Sequence, residues 1–224
     1  MAGKFPDDGK LKVAVVIGGH SFEVPGFKVF WDALDGVDAY IQTLEDWSDD
    51  IAGVQKQYDC VVFYNMHTFT PTGEESWPMT KAKESLEALG ETEQGIVIWH
   101  HSLVAFRKWP LWREISGLEY MTLEVAFDQT MSISVVNTDH PITDGVTDFE
   151  IVDETYDIAN PVGDMDVLLE TDHPKNASKV GWTRTHRNAR VFCLQLGHDS
   201  QAWANPSLSK LMGNGIRWAA RRQS

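Results

Sequence analysis

The sequence predicts one α/β domain, a doubly wound, mostly parallel sheet with extra antiparallel strands in its second half. β-branched apolar runs alternate with helix-type patterns over the first half of the chain. That alternation implies parallel strands covered by helices on both faces. Beyond residue 130 the helical patterns give way to short strands separated by turn residues. The 224 residues, 42% of them hydrophobic, suffice for one sizeable core, and no linker or internal repeat divides them. Residues 1–224 are read as one domain, with residues 1–10 as a flexible extension.

The first strand is KVAVVIGG, residues 12–19, an unbroken apolar run suited to burial on both faces. FKVFWDAL, from Phe27, carries apolar residues at helical spacing. VDAYIQTL, from Val37, reads as a second strand, and residues 47–57 as a short helix capped by Ser48. DCVVFYN, residues 59–65, is a third buried strand. After a polar loop, TKAKESLEALGETEQ places Ala82, Leu86 and Leu89 on one helical face. GIVIWHH, residues 95–101, is the fourth strand, and the helix after it breaks near Pro110. MSISVVNT, FEIVDETY and DMDVLLETD read as strands of the second half. KVGWTRT and ARVFCLQLG flank His186, Arg187 and Asn188 as a hairpin, with His186 solvated at its tip. NPSLSKLMGNGIRWAARR closes the chain as a helix capped by Asn205, with Pro206 in its first turn.

Charge bounds the partners. A formal net charge of −14 repels phosphate backbones, so nucleic acid is not an expected partner. No apolar run approaches the roughly 20 residues that cross a bilayer, and MAGKFPDDGK lacks the apolar centre of a signal peptide. A cytoplasmic protein with no membrane partner is expected. Arg217, Arg221 and Arg222 read as a helix-end feature offsetting the dipole. Cys60 and Cys193 fall inside apolar strands and are expected to be buried and unpaired, not a disulfide or a zinc site.

Open parallel sheets bind ligands beyond the carboxyl ends of their strands. The residues at those ends include His20, His67, the His100–His101 pair and His198. Histidines in four such loops point to a site, because imidazole binds divalent metals and moves protons near neutral pH. If the fourth strand runs through His100 and His101, the two point to opposite sides and one enters the site. Either can be that one, and His101 is carried forward as the candidate. Glu154, at the end of a predicted strand, is the candidate carboxylate, with Asp153 facing the other way. The catalytic candidates are His198, His101 and Glu154, and the metal candidates His20, His101 and His198, for a divalent ion such as zinc. His20, His67 and Arg107 are candidates for substrate contacts. Trp182 and Trp203 are candidates for stacking on a sugar, since a pyranose face is apolar and suits an indole. His140 and His173 precede prolines and read as turn residues. No Gly-x-Cys-x-Gly or Gly-x-Ser-x-Gly surrounds IWHHSL, where a nucleophile elbow would lie, which leaves Ser102 as an unusual alternative nucleophile. No phosphate-binding glycine motif is present, so nucleotide binding has no support.

VVIGGHSFE, IWHHSLVAFRKWPLWREISG, TDHPIT with the following Gly145, FEIVDETY, and RVFCLQLGHDSQAWANPSL with NGIRWA resemble the trehalose-utilisation, or ThuA-like, family. The resemblance spans roughly residues 12–220. Its most specific pieces, HHSLVAF and LGHD with their downstream tryptophans, combine order, spacing and rare residues. It implies a class I glutamine amidotransferase-like, flavodoxin-like fold. In those enzymes an elbow cysteine works with a histidine after a late strand. His198 matches that histidine and the cysteine is missing, so a glutamine amidotransferase is not expected. The resemblance also implies carbohydrate metabolism. The expected function is an enzyme acting on a keto-sugar or disaccharide derivative by hydrolysis or isomerisation, with His and Glu as acid and base and a divalent metal as a helper. The alternative is a non-catalytic sugar-binding or regulatory module on the same scaffold. A small carbohydrate is the expected ligand, and a homo-oligomer the expected assembly.

Overall fold

A computed structural model describes residues 4–77, 79–119 and 124–222. Of the expected N-terminal extension, residues 1–3 lie outside the described residues. Within the remainder, Phe5 packs against Tyr40 and Tyr58.

Among the described residues nine strands form one sheet. They are β1 (Leu11–Gly18), β2 (Val37–Thr43), β3 (Cys60–Asn65), β4 (Gly95–Trp99), β5 (Glu124–Val135), β6 (Phe149–Asp157), β7 (Asp166–Glu170), β8 (Lys179–His186) and β9 (Ala189–Leu194). Their spatial order is β2-β1-β3-β4-β9-β8-β7-β5-β6. Pairing is parallel from β2 to β9 and antiparallel from β9 to β6. The chain is thus α/β with a mostly parallel first half and an antiparallel second half, as the hydrophobic pattern predicts. The parallel order 2-1-3-4 puts a topological switch point between β1 and β3, where such sheets bind ligands.

The continuous apolar runs are explained by burial on both faces. On β1, Val13 and Val15 join a core with Phe27, Phe30, Trp31, Leu211 and Ile216. Their neighbours Ala14 and Val16 join the opposite core with Leu44, Trp47, Leu86 and Trp112. Fully burying side chains of this size stabilises by roughly 1.5–3 kcal/mol each. The helices that cover the sheet are α1 (Val24–Asp32), α2 (Leu44–Asp49), α3 (Ala82–Glu87), α4 (Pro110–Ser116), α5 (Ser200–Trp203) and α6 (Pro206–Ala219). Asn205 caps α6, accepting from the Ser207 N–H at 3.0 Å, with Pro206 in the first turn. Cys60 and Cys193 are buried and unpaired.

Three local expectations fail. Thr43, not Ser48, caps the helix after β2, accepting from Asp46 N at 3.2 Å. Ser48 lies inside that helix and bonds back to Glu45 O. His186 is buried rather than solvated, at 2% exposure, because the turn at Gly90 lies against it. The fourth strand ends at Trp99 and does not run through His101. His100 turns out of it with φ +51, and residues His100–Val104 form a 3-10 turn.

Candidate active site

The left-handed backbone at His100 governs the site. A β-strand would send His100 and His101 to opposite faces. The sharp turn instead keeps both rings on the carboxyl-end edge, at 5.3 Å from each other. It occupies the strand-to-helix position where a nucleophile elbow holds its strained residue, with an imidazole in place of a thiol or hydroxyl.

His100 is fully buried. Its Nδ1–H donates to Gln195 O at 2.6 Å, so Nε2 points into the cluster. Three groups converge on that atom. Glu154 Oε2 lies at 3.1 Å, His198 Nδ1 at 3.2 Å, and the Tyr156 hydroxyl oxygen at 3.0 Å. Glu154 Oε2 is also 3.1 Å from His198 Nδ1. Burial works to raise the Glu154 pKa. Hydrogen bonds from His100 and His198, with their charge, outweigh burial and hold the carboxyl well below its usual range. The same contact with Glu154 raises the His198 pKa, against the opposing effect of burial.

His198 is delivered by a loop that is tied down from two sides. Asp153 accepts from Gly197 N at 2.6 Å and His198 N at 2.9 Å, and also from Glu154 N. Burial pushes the Asp153 pKa up, opposed by His100 and these backbone N–H groups. The Tyr64 hydroxyl donates to Gly197 O and His198 O. Gly197 has φ +125, and a Cβ there would overlap the Trp99 indole. Only glycine fits both constraints.

The four histidine loops do share one edge. His20 is exposed and stacks on His101 at 4.4 Å, with its ring 6.0 Å from that of His198. His101 is 1% exposed and donates from Nε2 to Tyr64 O at 2.8 Å. Burial pushes its pKa well down, and its Nδ1 has no partner among the described residues. Of the adjacent pair, then, His100 joins Glu154 and His198, and His101 stands beside them under His20. His67 accepts from Asn65 Nδ2 through Nδ1 and lies flat against Phe106. Among the described residues no hydrogen bond or ion pair ties His67 or Arg107 to the cluster. Ser102 is buried and donates to Asn65 Oδ1.

The tryptophans do not offer the stacking faces expected of them. Trp182 is 0% exposed and donates to Ser116 O in the core below α4. Trp203 is 5% exposed and donates to Gly197 O, so it braces the His198 loop from behind. Indoles near strand ends are buried here because the loops fold back over them. Sequence reasoning missed two contributors. Asp153 was set aside by strand alternation, yet its buried carboxylate organises the His198 loop. Phe127, 57% exposed, lies 5.5 Å from the His198 ring, and no motif announces it.

The donor set fits a divalent metal. His100 Nε2, Glu154 Oε2 and His198 Nδ1 form a group within 4.8 Å of one another, and the pairwise separations of 3.1–3.2 Å are close to the ~3.3 Å between ligands of a tetrahedral zinc. The Nδ1–H of His100 on a backbone carbonyl is the outer contact that orients a metal-binding imidazole. This trio differs from the expected His20, His101 and His198 because the turn at residue 100 brings the other member of the pair inward.

A family model described as ThuA, trehalose utilisation, matches residues 17–219. Among solved structures the fold is similar to a ThuA-like protein from Parabacteroides merdae, at 19% identity and TM-score 0.72, covering 94% of this chain and 90% of that one. A ThuA-like protein from Bacteroides uniformis aligns at 17% identity and TM-score 0.71, over 98% and 95% of the two chains. A cytoplasmic protein from Salmonella typhimurium aligns at 12% identity and TM-score 0.65, over 92% and 98%. No curated protein matches the chain. Among the described residues, no helix is long and apolar enough to cross a membrane.

Proposed function

The chain belongs to the trehalose-utilisation (ThuA) family, and from that premise and the geometry of its buried cluster we propose that it is an acid–base enzyme acting on a carbohydrate derivative such as a keto-sugar. The observation that carries the reading is the convergence of His100 Nε2, Glu154 Oε2 and His198 Nδ1 at 3.1–3.2 Å. His198 is the proton-transfer group. Its Nδ1 is committed to Glu154, its side chain is 21% exposed against 0% for His100, and its Nε2 is the nitrogen left for substrate. Glu154 orients the ring and stabilises the imidazolium that forms when Nε2 takes a proton. A hydrogen on the carbon beside a sugar carbonyl is the proton such a base would remove, which leads to isomerisation or to loss of a substituent. With a divalent ion such as zinc bound instead, His100, Glu154 and His198 would hold it, the ion would supply a Lewis acid for the carbonyl, and His198 would then be a ligand and not the proton carrier.

His101 and His20 form the neighbouring wall and contact the ligand rather than move its proton. The alternative, a non-catalytic sugar-binding module, is favoured by the missing elbow nucleophile. The partner in either case is a small carbohydrate, in the cytoplasm, with neither nucleic acid nor membrane involved and the chain self-associated as a homo-oligomer.

The test is His198→Gln assayed with keto-derivatives of disaccharides, with metal content measured on the purified protein. Turnover is expected to fall by about 10²–10⁴ with the melting temperature preserved. Full turnover in the variant would remove His198 from the reaction. Sugar binding without turnover in the wild type would support the binding module instead.

A further inference from the structure

The pairing of β5 with β6 breaks beside Glu154. Ala126 faces Thr155 and Gln129 faces Asp153, so Phe127 and Asp128 together stand opposite the one residue between them, Glu154. This is a β-bulge, a device that re-aims a side chain. Asp128 takes φ +55, a left-handed backbone that costs a non-glycine residue energy. The bulge is fastened to the catalytic loop. Gln201 Nε2 donates to Asp128 Oδ1 at 3.0 Å and reaches Asp199 Oδ2 at 3.5 Å, next to His198. Gln129 Nε2 donates to Phe127 O at 2.6 Å. Phe127 is thereby held with its ring 5.5 Å from that of His198 and inclined 58° to it, while 57% of the residue stays in water.

An exposed phenylalanine alone is ordinary. This one sits on a strained bulge opposite the cluster carboxylate and against the proton-transfer histidine, so its open face borders the space a ligand must enter. We infer that Phe127 is the stacking wall of the substrate site and that the substrate is a neutral pyranose-type sugar. The inference rests on the acid–base reading of the cluster and deepens it. A pyranose has an apolar C–H face for the phenyl ring and polar edges for the imidazoles and carboxylate. The site excludes anionic sugars by charge: Asp128, Asp153, Glu154 and Asp199 gather around it in a chain of net charge −14, and like charges at short range repel.

The experiment is calorimetric titration of the full-length protein with methyl α-glucoside, trehalose and lactose. Glucose 6-phosphate and glucuronate are the anionic counterparts, and the proteins titrated are the wild type, F127A, F127L and F127Y. The wild type is expected to bind at least one neutral pyranoside more tightly than the anionic sugars. F127A and F127L should lose about tenfold in affinity, and F127Y should stay within about threefold. Leucine keeps apolar bulk without a flat ring, so it separates stacking from simple burial. Because Phe127 is exposed, the variants should keep the wild-type melting temperature, which identifies any that lose affinity by unfolding. Equal sugar affinity in F127A and wild type would overturn the inference and leave the acid–base reading standing. So would a preference for the anionic sugars, or a change confined to self-association. Absence of binding to every one of these sugars would overturn the inference, and the acid–base reading would then rest on the His198→Gln assay with keto-derivatives.

Discussion

His198 titrates in the grip of one carboxylate. In the folded chain its pKa is raised by the Glu154 hydrogen bond, so the charged ring is favoured at a pH where a free histidine is already half neutral. The stability from this pair is fully present below the unfolded value of about 6.5 and is lost as pH rises through the folded value. Glu154 has the opposite sign, since its depressed pKa contributes stability above its unfolded value that is lost as pH falls. Replacing Glu154 by Gln removes the negative charge but keeps a hydrogen-bonding side chain. In chelator-treated protein, NMR titration of the His198 ring is expected to show a pKa above 6.5 in the wild type and a lower one in E154Q. An unchanged His198 titration would show that Glu154 does not set its basicity.

The loop after β9 is the element on which the site depends. Gly197 combines φ +125 with a position against the Trp99 indole, and Trp99 in turn donates to Leu196 O at 2.7 Å. Gly197→Ala is therefore expected to destabilise by about 1–3 kcal/mol, read from urea unfolding, and to reduce turnover by displacing His198. A fully stable, fully active variant would show that the loop tolerates a shift of its backbone. The elements themselves were legible because β1, β3, β4 and β9 are buried on both faces, which forces unbroken apolar runs, and because Asn205-Pro206 marks a helix start chemically. The strand-end histidines were legible for the same reason, since each follows such a run. What escaped the sequence depends on backbone turns without a local signature. Nothing in IWHHSL shows that the strand stops at Trp99, and so His101 rather than His100 was carried forward as the inward member. Nothing in AFDQ shows a bulge that presents Phe127. Asp153 and Glu154 are adjacent across from that bulge, where strict alternation of faces breaks down, so both serve the site.

At the scale of the whole molecule, buried neutral histidines set the response to acid. His67, His101 and His186 are 8%, 1% and 2% exposed, and burial lowers the pKa of each. A histidine with a lowered folded pKa takes up its proton more readily in the unfolded chain, so acid favours unfolding. Their effect begins as pH falls below the unfolded value of about 6.5 and grows until the folded values are reached. The raised His198 works in the other direction, as does the buried Asp153, whose raised pKa lets the folded chain take up its proton first, and Glu154 does not titrate until the pH is lower still. His20 and His140 are shifted down as well, so five lowered histidines outweigh the opposing groups and give a net loss of stability on moving from pH 7 to pH 5. The urea midpoint is accordingly expected to drop over that interval, with no aid from reduction, because Cys60 and Cys193 are unpaired. Replacing His186 by Phe should flatten the drop without touching the active site, since His186 lies at the far end of β8, where its Nδ1 faces Glu114 Oε1 at 3.4 Å. A midpoint that is constant or rises between pH 7 and pH 5 would show that these rings are already protonated in the folded chain.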